Sequence, residues 1–177
     1  MPKTGRKFLL SLGLSAVATA LVVSGFPRRS GLTAAQSLVS MPGDMVLPTA
    51  PVQADRAGTL AATADEVWPL VEDLATAYAD LWDVPLQTVY ESENELLVVQ
   101  TDERSVDENP NEAYWRASLA IRLIPSVDGT VTVQIRERYL PNGAAGKTAA
   151  YSAMILSAVL VKKWLRGSRK HVAPVTE

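Results

Sequence analysis

The sequence has no cysteine among its 177 residues and a single histidine, His171, in a polar C-terminal stretch. Without cysteine the chain forms no disulfide and performs no thiolate chemistry, so its redox compartment is left open. A single histidine argues against a histidine-dependent catalytic triad and against a conventional zinc site. We therefore expect no bound metal and no cofactor.

An excess of either charge is also missing, because 17 basic side chains stand against 19 acidic ones. This balance gives no argument for nucleic acid as a partner. The charges are distributed unevenly, however: the first 29 residues hold five basic side chains and no acid, whereas residues 102–112 are strongly acidic. We interpret the acidic stretch as a solvated loop, since it lacks the fixed ligand spacing and the glycine of a calcium loop.

One long uncharged run is present near the start of the chain, over residues 8–26. At about 1.5 Å per residue, a helix of this length crosses roughly 28 Å of hydrocarbon, which favours a retained membrane anchor. A cleaved signal peptide of a secreted protein is the alternative, with Ala18 and Ala20, or Thr33 and Ala35, before the cut. The small excess of basic residues before the run predicts a cytoplasmic N-terminus and an extracytoplasmic domain.

The chain divides into four parts on composition. Residues 1–29 contain the membrane or signal segment. Residues 30–50 contain glycine and proline without sustained periodicity, so we interpret them as a linker that lifts the domain off the bilayer. Residues 51–170 carry the periodic patterns of one folded domain, within the usual size of about 100 to 150 residues. Residues 171–177 form a polar tail.

The first part of the domain predicts a strand followed by a helix. Residues 52–60 predict the strand, and Thr63 with Glu66 forms a capping box that starts the helix. Pro69 lacks an amide hydrogen, so we expect two short helical pieces that end near Trp82 and Pro85.

Two hairpins follow the helical region. Residues 86–91 and 95–101 are rich in valine and leucine and are joined by a polar turn. Residues 114–124 and 130–140 alternate between apolar and polar side chains, which predicts an antiparallel pair with one apolar and one wet face. Together these strands predict a sheet whose apolar face needs a cover.

The last long element is a helix over residues 146–169, which is almost entirely apolar or small from residue 148 to 161. A transmembrane helix needs roughly 20 apolar residues, so we expect this shorter stretch to cover the sheet instead. The face expected to grip the sheet comprises Tyr151, Met154, Ile155, Ala158 and Leu165. The opposite stripe without an assigned partner comprises Ala153, Leu156, Leu160 and Trp164.

Four stretches precede this helix: MPGDMVLP at 41–48, AATADEVWPLVEDL at 61–74, YWRASLAIRLIP at 114–125 and GTVTVQIRERYLP at 129–141. In order and spacing they resemble the SRPBCC superfamily, the START and polyketide-cyclase group, over about residues 41–170. The resemblance implies an α+β helix-grip fold, in which a curved antiparallel β-sheet wraps around a long C-terminal α-helix and an apolar cavity. It also implies a hydrophobic small molecule or lipid as the ligand. Many relatives with a similar leader begin with a membrane segment.

The sequence departs from this pattern in one place. Residues 73–85 are shorter than the insertion that is usual in the group, which implies fewer strands or a smaller cavity. The superfamily has no universal catalytic residues, so the resemblance assigns none to this chain.

Glu137 is the one acid to single out, because period-two alternation puts it on the apolar face beside Ile135 and Tyr139. An acid in an apolar cavity is a functional candidate, unless it reaches solvent at the strand end or pairs with an arginine. In a cavity it would orient a ligand hydroxyl or act as a general base, with Arg56 as its partner. We expect no other catalytic residue.

The implied cavity would be lined by side chains that serve equally well as packed core. These are Trp68, Trp115, Leu119, Ile121, Val133, Ile135, Glu137, Tyr139, Tyr151, Met154, Ile155 and Ala158. The basic end of the closing helix either binds anionic lipid headgroups at a membrane surface or is simply solvated. It comprises Lys162, Lys163, Arg166, Arg169 and Lys170.

The hypothesis that these features favour is a membrane-tethered binding or carrier domain for a hydrophobic small molecule or lipid, held between sheet and helix without catalysis. The first alternative is a cyclase- or hydratase-type enzyme that uses Glu137. The second is a scaffold without a ligand, whose exposed apolar helix face meets a protein partner. A filled interior would count against both ligand hypotheses.

Overall fold

The computed structural model describes residues 28–33, 35–100 and 115–172 of the chain. The expected membrane or signal segment, residues 8–26, and the acidic loop, residues 102–112, lie outside the described residues.

The described chain folds into one six-stranded sheet and two long helices. Its elements are β1 (Arg29–Ser30), β2 (Val52–Leu60), α1 (Ala64–Trp82), β3 (Leu86–Ser92), β4 (Glu95–Gln100), β5 (Trp115–Pro125), β6 (Val131–Pro141) and α2 (Gly143–His171). The order across the sheet is β1-β2-β6-β5-β4-β3, and all neighbours are antiparallel except β1 and β2. The curved sheet wraps around α2, so the expected helix-grip fold is confirmed.

Helix α1 begins at the capping box that the sequence predicts. The Thr63 hydroxyl accepts a hydrogen bond from the Glu66 amide, and the Glu66 carboxylate accepts one from the Thr63 amide. The helix then continues to Trp82 without a break, so the expected division at Pro69 is wrong. Pro69 is exposed, and its missing amide removes one hydrogen bond on the solvent side while the opposite face packs into the core.

The core lies between the inner face of the sheet and the buried sides of both helices. Strands β5 and β6 pair from Trp115↔Pro141 to Pro125↔Val131, so their alternating apolar side chains share one face. At Gly58 of β2 an added Cβ would lie 2.5 Å from Cδ1 of Leu165 on α2. Glycine at this position therefore lets the second half of α2 approach the sheet closely.

The centre of the outer face of the sheet is covered, so the expectation of a wet face is wrong there, whereas both ends of β5 are exposed on this face. A short helical turn at Pro42–Met45 lies across it, and Arg136 of β6 is only 3% exposed. Arg136 contacts Asp44 and Asp55 at 2.7 Å each, and Arg138 contacts Asp44 at 3.1 Å. These ion pairs hold the polar strand positions under a second layer of chain.

Asp44 fixes this outer layer to the sheet. Burial by itself would raise the pKa of Asp44, but the hydrogen bond from the Met41 amide and the two arginines outweigh it and lower the pKa. Met41 is buried against Leu97 and Ala120 beside it. Part of the segment expected to lift the domain off a bilayer is thus packed on the domain.

The two edges of the sheet differ in construction. At one edge, β1 adds two residues that run parallel to β2. At the other edge, the middle of β3 is exposed, and its pairing with β4 shifts register between Thr88 and Tyr90. Such a β-bulge bends the strand and increases its local twist.

Helix α2 is rotated relative to the sequence prediction. Met154 and Ser157 face the sheet and are fully buried, whereas Ile155, expected to grip the sheet, is 47% exposed. Ala153, expected on the free stripe, is buried. The helix is apolar nearly all round, so its composition does not determine which side turns inward.

The rest of the expected free stripe is divided between a helix contact and solvent. Trp164 donates its indole N–H to the Leu70 carbonyl of α1 at 2.9 Å, and Leu160 packs partly buried against the core. Leu156 remains exposed. By length and composition alone α2 is apolar enough to cross a membrane, a criterion that core helices also meet, and here one side of it packs on the sheet.

Candidate functional site

A buried ion pair joins β2 and β6 at the centre of the core. Glu137 lies on the inner face of β6, and its Oε1 is 2.8 Å from Nε of Arg56 on β2. The Arg56 and Glu137 side chains are 1% and 0% exposed. The inward position of Glu137 and its pairing with Arg56, both predicted from strand alternation, are confirmed.

Three hydroxyl groups complete the surroundings of the Glu137 carboxylate. Tyr78 of α1 donates to Oε1 at 2.7 Å. Tyr139 of β6 and Ser157 of α2 each donate to Oε2 at 2.6 Å. A carboxylate has about four acceptor positions, and one ion-pair contact with three hydroxyl donors occupies them.

The two tyrosines act only as donors in this network. Burial raises the pKa of the Tyr78 and Tyr139 hydroxyls well above its usual value, and the negative charge of Glu137 raises it further. Both hydroxyls therefore stay protonated over the ordinary pH range. The carboxylate is saturated by groups of the protein itself, which leaves no acceptor position for a substrate hydrogen.

The network also sets the rotation of α2. Nη2 of Arg56 donates to the Met154 carbonyl at 2.7 Å and to the Ser157 hydroxyl at 2.9 Å. Because Arg56 is fixed on β2, these bonds turn Met154 and Ser157 toward the sheet and place Ile155 outside. The residues that sequence reasoning missed here are Tyr78 and Ser157, although Tyr78 belongs to the apolar series predicted for α1.

The interior in which the sequence predicts a cavity is filled. Seven of the predicted lining side chains are 0% exposed: Leu119, Ile121, Val133, Ile135, Glu137, Tyr139 and Met154. A side chain without accessible surface borders no space large enough for water, so these residues are packed core. Trp68, Trp115 and Tyr151 are half-buried, and Ile155 faces solvent. Ala158 is the predicted lining residue that borders an open cleft between sheet and helix.

This cleft lies between the β1–β2 edge of the sheet and the second half of α2, and its volume is about 420 Å³. Its apolar walls are formed by Ala57, Ala158, Val161 and Leu165. Three basic residues also line it: Lys162, Arg166 and Arg169. Of the five basic residues singled out from the sequence, Lys163 and Lys170 do not border the cleft. The arrangement combines an apolar surface with positive charge.

A close approach of two chain segments builds the sheet side of the cleft. Gly31 has φ +74°, and an added Cβ would lie 2.0 Å from the Ala57 carbonyl oxygen, so only glycine fits. Just before it, the Asp55 amide donates to the Arg28 carbonyl at 2.7 Å. No local sequence pattern announces a two-residue parallel strand, which is why the sequence did not reveal this cleft.

Two further grooves lie near α1. One of about 290 Å³ is lined by apolar residues, including Ala75 and Leu96, and by the acids Glu72 and Glu91. Trp68 borders the other, a wide and acidic groove beside the β3–β4 turn. In the described parts of the chain, no three acidic or histidine side chains are grouped so as to hold a metal ion.

No protein-family model matches the sequence, and no curated protein matches it. Solved structures similar to the chain include a conserved protein from Geobacillus kaustophilus (12% identity, TM-score 0.41, 69% of this chain and 95% of the other). They also include the Zhui aromatase/cyclase from Streptomyces sp. R1128 (16% identity, TM-score 0.38, 69% of this chain and 96% of the other). A third is a norcoclaurine synthase point mutant from Thalictrum flavum (12% identity, TM-score 0.35, 62% of this chain and 95% of the other). At these values the similarities carry no argument about a ligand or a reaction, and the fold assignment rests on the topology described above.

Proposed function

We propose that this protein is a binding or carrier domain for a hydrophobic small molecule or lipid, held at a membrane by residues 8–26. The ligand lies in the cleft between the β1–β2 edge and α2. The observation that carries the proposal is the cleft of about 420 Å³, with apolar walls and three basic side chains. Small-molecule sites usually have volumes of about 300 to 1,000 Å³.

The chemistry of the cleft selects an amphiphile with a negative head. Ala57, Ala158 and Leu165 offer apolar contact to a chain or ring, while Arg166 and Arg169 offer charge-assisted hydrogen bonds to a carboxylate or phosphate. A fatty acid satisfies both requirements. The filled core counts against a ligand in the interior, as expected from the sequence, so the proposal places the ligand in this surface cleft instead.

The enzyme alternative gains no support from the geometry. A cyclase or hydratase of the expected kind needs its substrate at Glu137, whose side chain is 0% exposed. Its carboxylate already accepts hydrogen bonds from three hydroxyls of the protein. We therefore assign Glu137 to the stability of the fold.

Binding of a fluorescent fatty acid tests the proposal. The segment from residue 28 to 177 retains both walls of the cleft, and titration of cis-parinaric acid into it should show saturable binding. Replacing Arg166 and Arg169 together by glutamine should weaken binding about ten-fold, because exposed ion pairs contribute up to about 1 kcal/mol each. Fluorescence enhancement gives the dissociation constant directly.

The matched control replaces Lys163 and Lys170 by glutamine. These two residues carry the same charge on the same end of α2 and are also exposed, but they do not line the cleft. The control should bind the fatty acid like the unchanged protein. Equal losses in the two double variants would indicate general charge attraction, and the absence of saturation would reject the cleft as a ligand site.

The membrane tether is tested separately by terminal sequencing of the protein from membranes. A retained anchor predicts a mature chain that begins at or next to Met1. A start near Leu21 or Gln36 would replace the anchor with a cleaved signal peptide.

A further inference from the structure

We propose that the outward side of α2 is a docking face for an anionic bilayer. This docking face consists of Ile155, Leu156, Val159, Lys163 and Lys170. The three apolar residues are 47%, 54% and 62% exposed, and they lie within little more than one helical turn. The two lysines follow one and three turns later on the same side of the helix and are exposed.

The charge of α2 favours a negatively charged surface as the occupant. From Gly143 to His171 the helix contains no acidic residue, and its last three residues are Arg169, Lys170 and His171. An exposed apolar turn followed by cations is typical of helices that lie in a bilayer interface, with apolar side chains below the headgroups and cations at the phosphates.

The path of the chain places this face next to a membrane. Nη2 of Arg28 donates to the Tyr151 hydroxyl of α2 at 2.6 Å, and its guanidinium carbon is 5.7 Å from the ring centroid. Tyr151 precedes Ile155 by one helical turn. Only Pro27 separates Arg28 from the apolar run at residues 8–26, and two residues span at most about 7 Å. The end of that run is thus tied to the helix that carries the docking face.

Because the outer layer packs on the sheet, it does not act as a loose linker between the proposed anchor and the domain. Asp44, inside the segment expected to be that linker, is held by Arg136 and Arg138 on the sheet. A domain joined to its anchor at Arg28 therefore rests on the bilayer instead of standing away from it. This step rests on the proposed tether, whereas the apolar and basic composition of the docking face does not.

The absence of cysteine permits a direct test in the full chain. Leu156→Cys provides a single site for an environment-sensitive fluorophore in protein reconstituted into vesicles. In vesicles of phosphatidylglycerol and phosphatidylcholine we expect blue-shifted emission and quenching by lipids that carry a spin label on the acyl chain. In pure phosphatidylcholine the quenching should be several-fold weaker. Val127→Cys, in the fully exposed β5–β6 turn, is the matched control and should stay unquenched.

Charge reversal supplies the second measurement. Lys163→Glu with Lys170→Glu, in the Leu156→Cys background, should reduce quenching in anionic vesicles to the phosphatidylcholine level. Each basic side chain near an anionic surface strengthens binding about five-fold, and reversal replaces attraction by repulsion. Neither lysine lines the cleft, so fatty-acid binding should remain unchanged.

Two results would overturn the docking face. One is a label at position 156 that stays as exposed to water in anionic vesicles as the label at position 127. The other is blue-shifted emission without lipid quenching, which would show that a second copy of the chain covers the face. Quenching of the label in a protein whose mature chain begins near Leu21 would reject the tether and support the docking face. An unquenched label in a protein that begins at Met1 would support the tether and reject the docking face.

Discussion

Replacing Glu137 by glutamine should destabilise the protein far more than the loss of a surface ion pair. The change removes one charge and keeps the shape of the side chain. Arg56, which is 1% exposed, loses the carboxylate that it contacts at 2.8 Å. Removing one partner of a buried ion pair costs about 3–5 kcal/mol. Domains of this size are stable by about 5–15 kcal/mol, so the variant should lose between about one fifth and all of its stability.

The loss of hydrogen bonds to Glu137 should also destabilise the Glu137→Gln variant. A glutamine amide offers one oxygen and one NH2 group in place of two accepting oxygens, so it cannot accept from all the donors around it. Either the Tyr78 hydroxyl on one side, or those of Tyr139 and Ser157 on the other, would face a second donor. A buried donor left without an acceptor costs about 1–3 kcal/mol, which lies within the expected loss.

Urea unfolding followed by tryptophan fluorescence measures the effect. Trp82 is 3% exposed, and its ring lies 5.7 Å from that of Tyr139, so its emission reports on this part of the core. The matched comparison is Arg122→Ala, which breaks a cross-strand pair with Glu95 whose partners are 24% and 22% exposed. That pair should contribute about 0–1 kcal/mol. If Glu137→Gln lost no more unfolding free energy than Arg122→Ala, the buried network would not be what holds α2 in place.

Three further predictions concern the sheet edge, alkaline pH and the outer layer. Gly31→Ala should abolish fatty-acid binding, because the added Cβ would clash with the Ala57 carbonyl oxygen. Gly129→Ala has nearly the same φ but nothing within 4 Å of the added Cβ, so it should preserve binding. Equal effects of the two changes would show that backbone strain at positive φ, and not the clash, causes the loss. The free energy of unfolding should fall as the pH rises above about 10. The pKa values of Tyr78 and Tyr139 are raised in the folded state, so above this pH the unfolded chain loses protons that the folded chain keeps, and deprotonation favours unfolding. A urea midpoint that stays flat from about pH 9 to 11 would contradict this. Asp44→Asn should lower the protection factor of the amides in the turn that carries it, that is, speed their exchange relative to the unfolded chain at the same pH. Acid should lower the protection factor only below pH 3.8, because the pKa of Asp44 is lowered, and an unchanged protection factor in the variant would show that the ion pairs do not hold the turn.

The sheet and the ion pair were accessible from the sequence because strands have a fixed period. Counting by two along β6 put Glu137 inside, and the same counting along β2 put Arg56 on the same face. Two long strands with strict alternation leave little freedom of register, since a slip of one residue would turn every apolar side chain to the other face.

The outer layer, the rotation of α2 and the cleft were not accessible, for three different physical reasons. Alternation shows that Arg136 lies on the polar face but not that another segment covers that face. Met154 and Ile155 are both apolar, so hydrophobicity does not choose between them, and the choice depends on a hydrogen bond from Arg56. The cleft depends on the approach of Gly31 to Ala57, a contact between residues far apart in sequence.

If the proposed tether holds copies of the protein on one membrane, the register shift in β3 has a consequence for how they meet. Confinement to a surface brings domains together side by side and raises their local concentration, and an exposed sheet edge is a template for strand addition between neighbours. The bulge between Thr88 and Tyr90 interrupts the regular spacing of the free N–H and C=O groups along that edge. A neighbouring β3 would find no continuous ladder to extend, which disfavours the joining of crowded copies into one shared sheet.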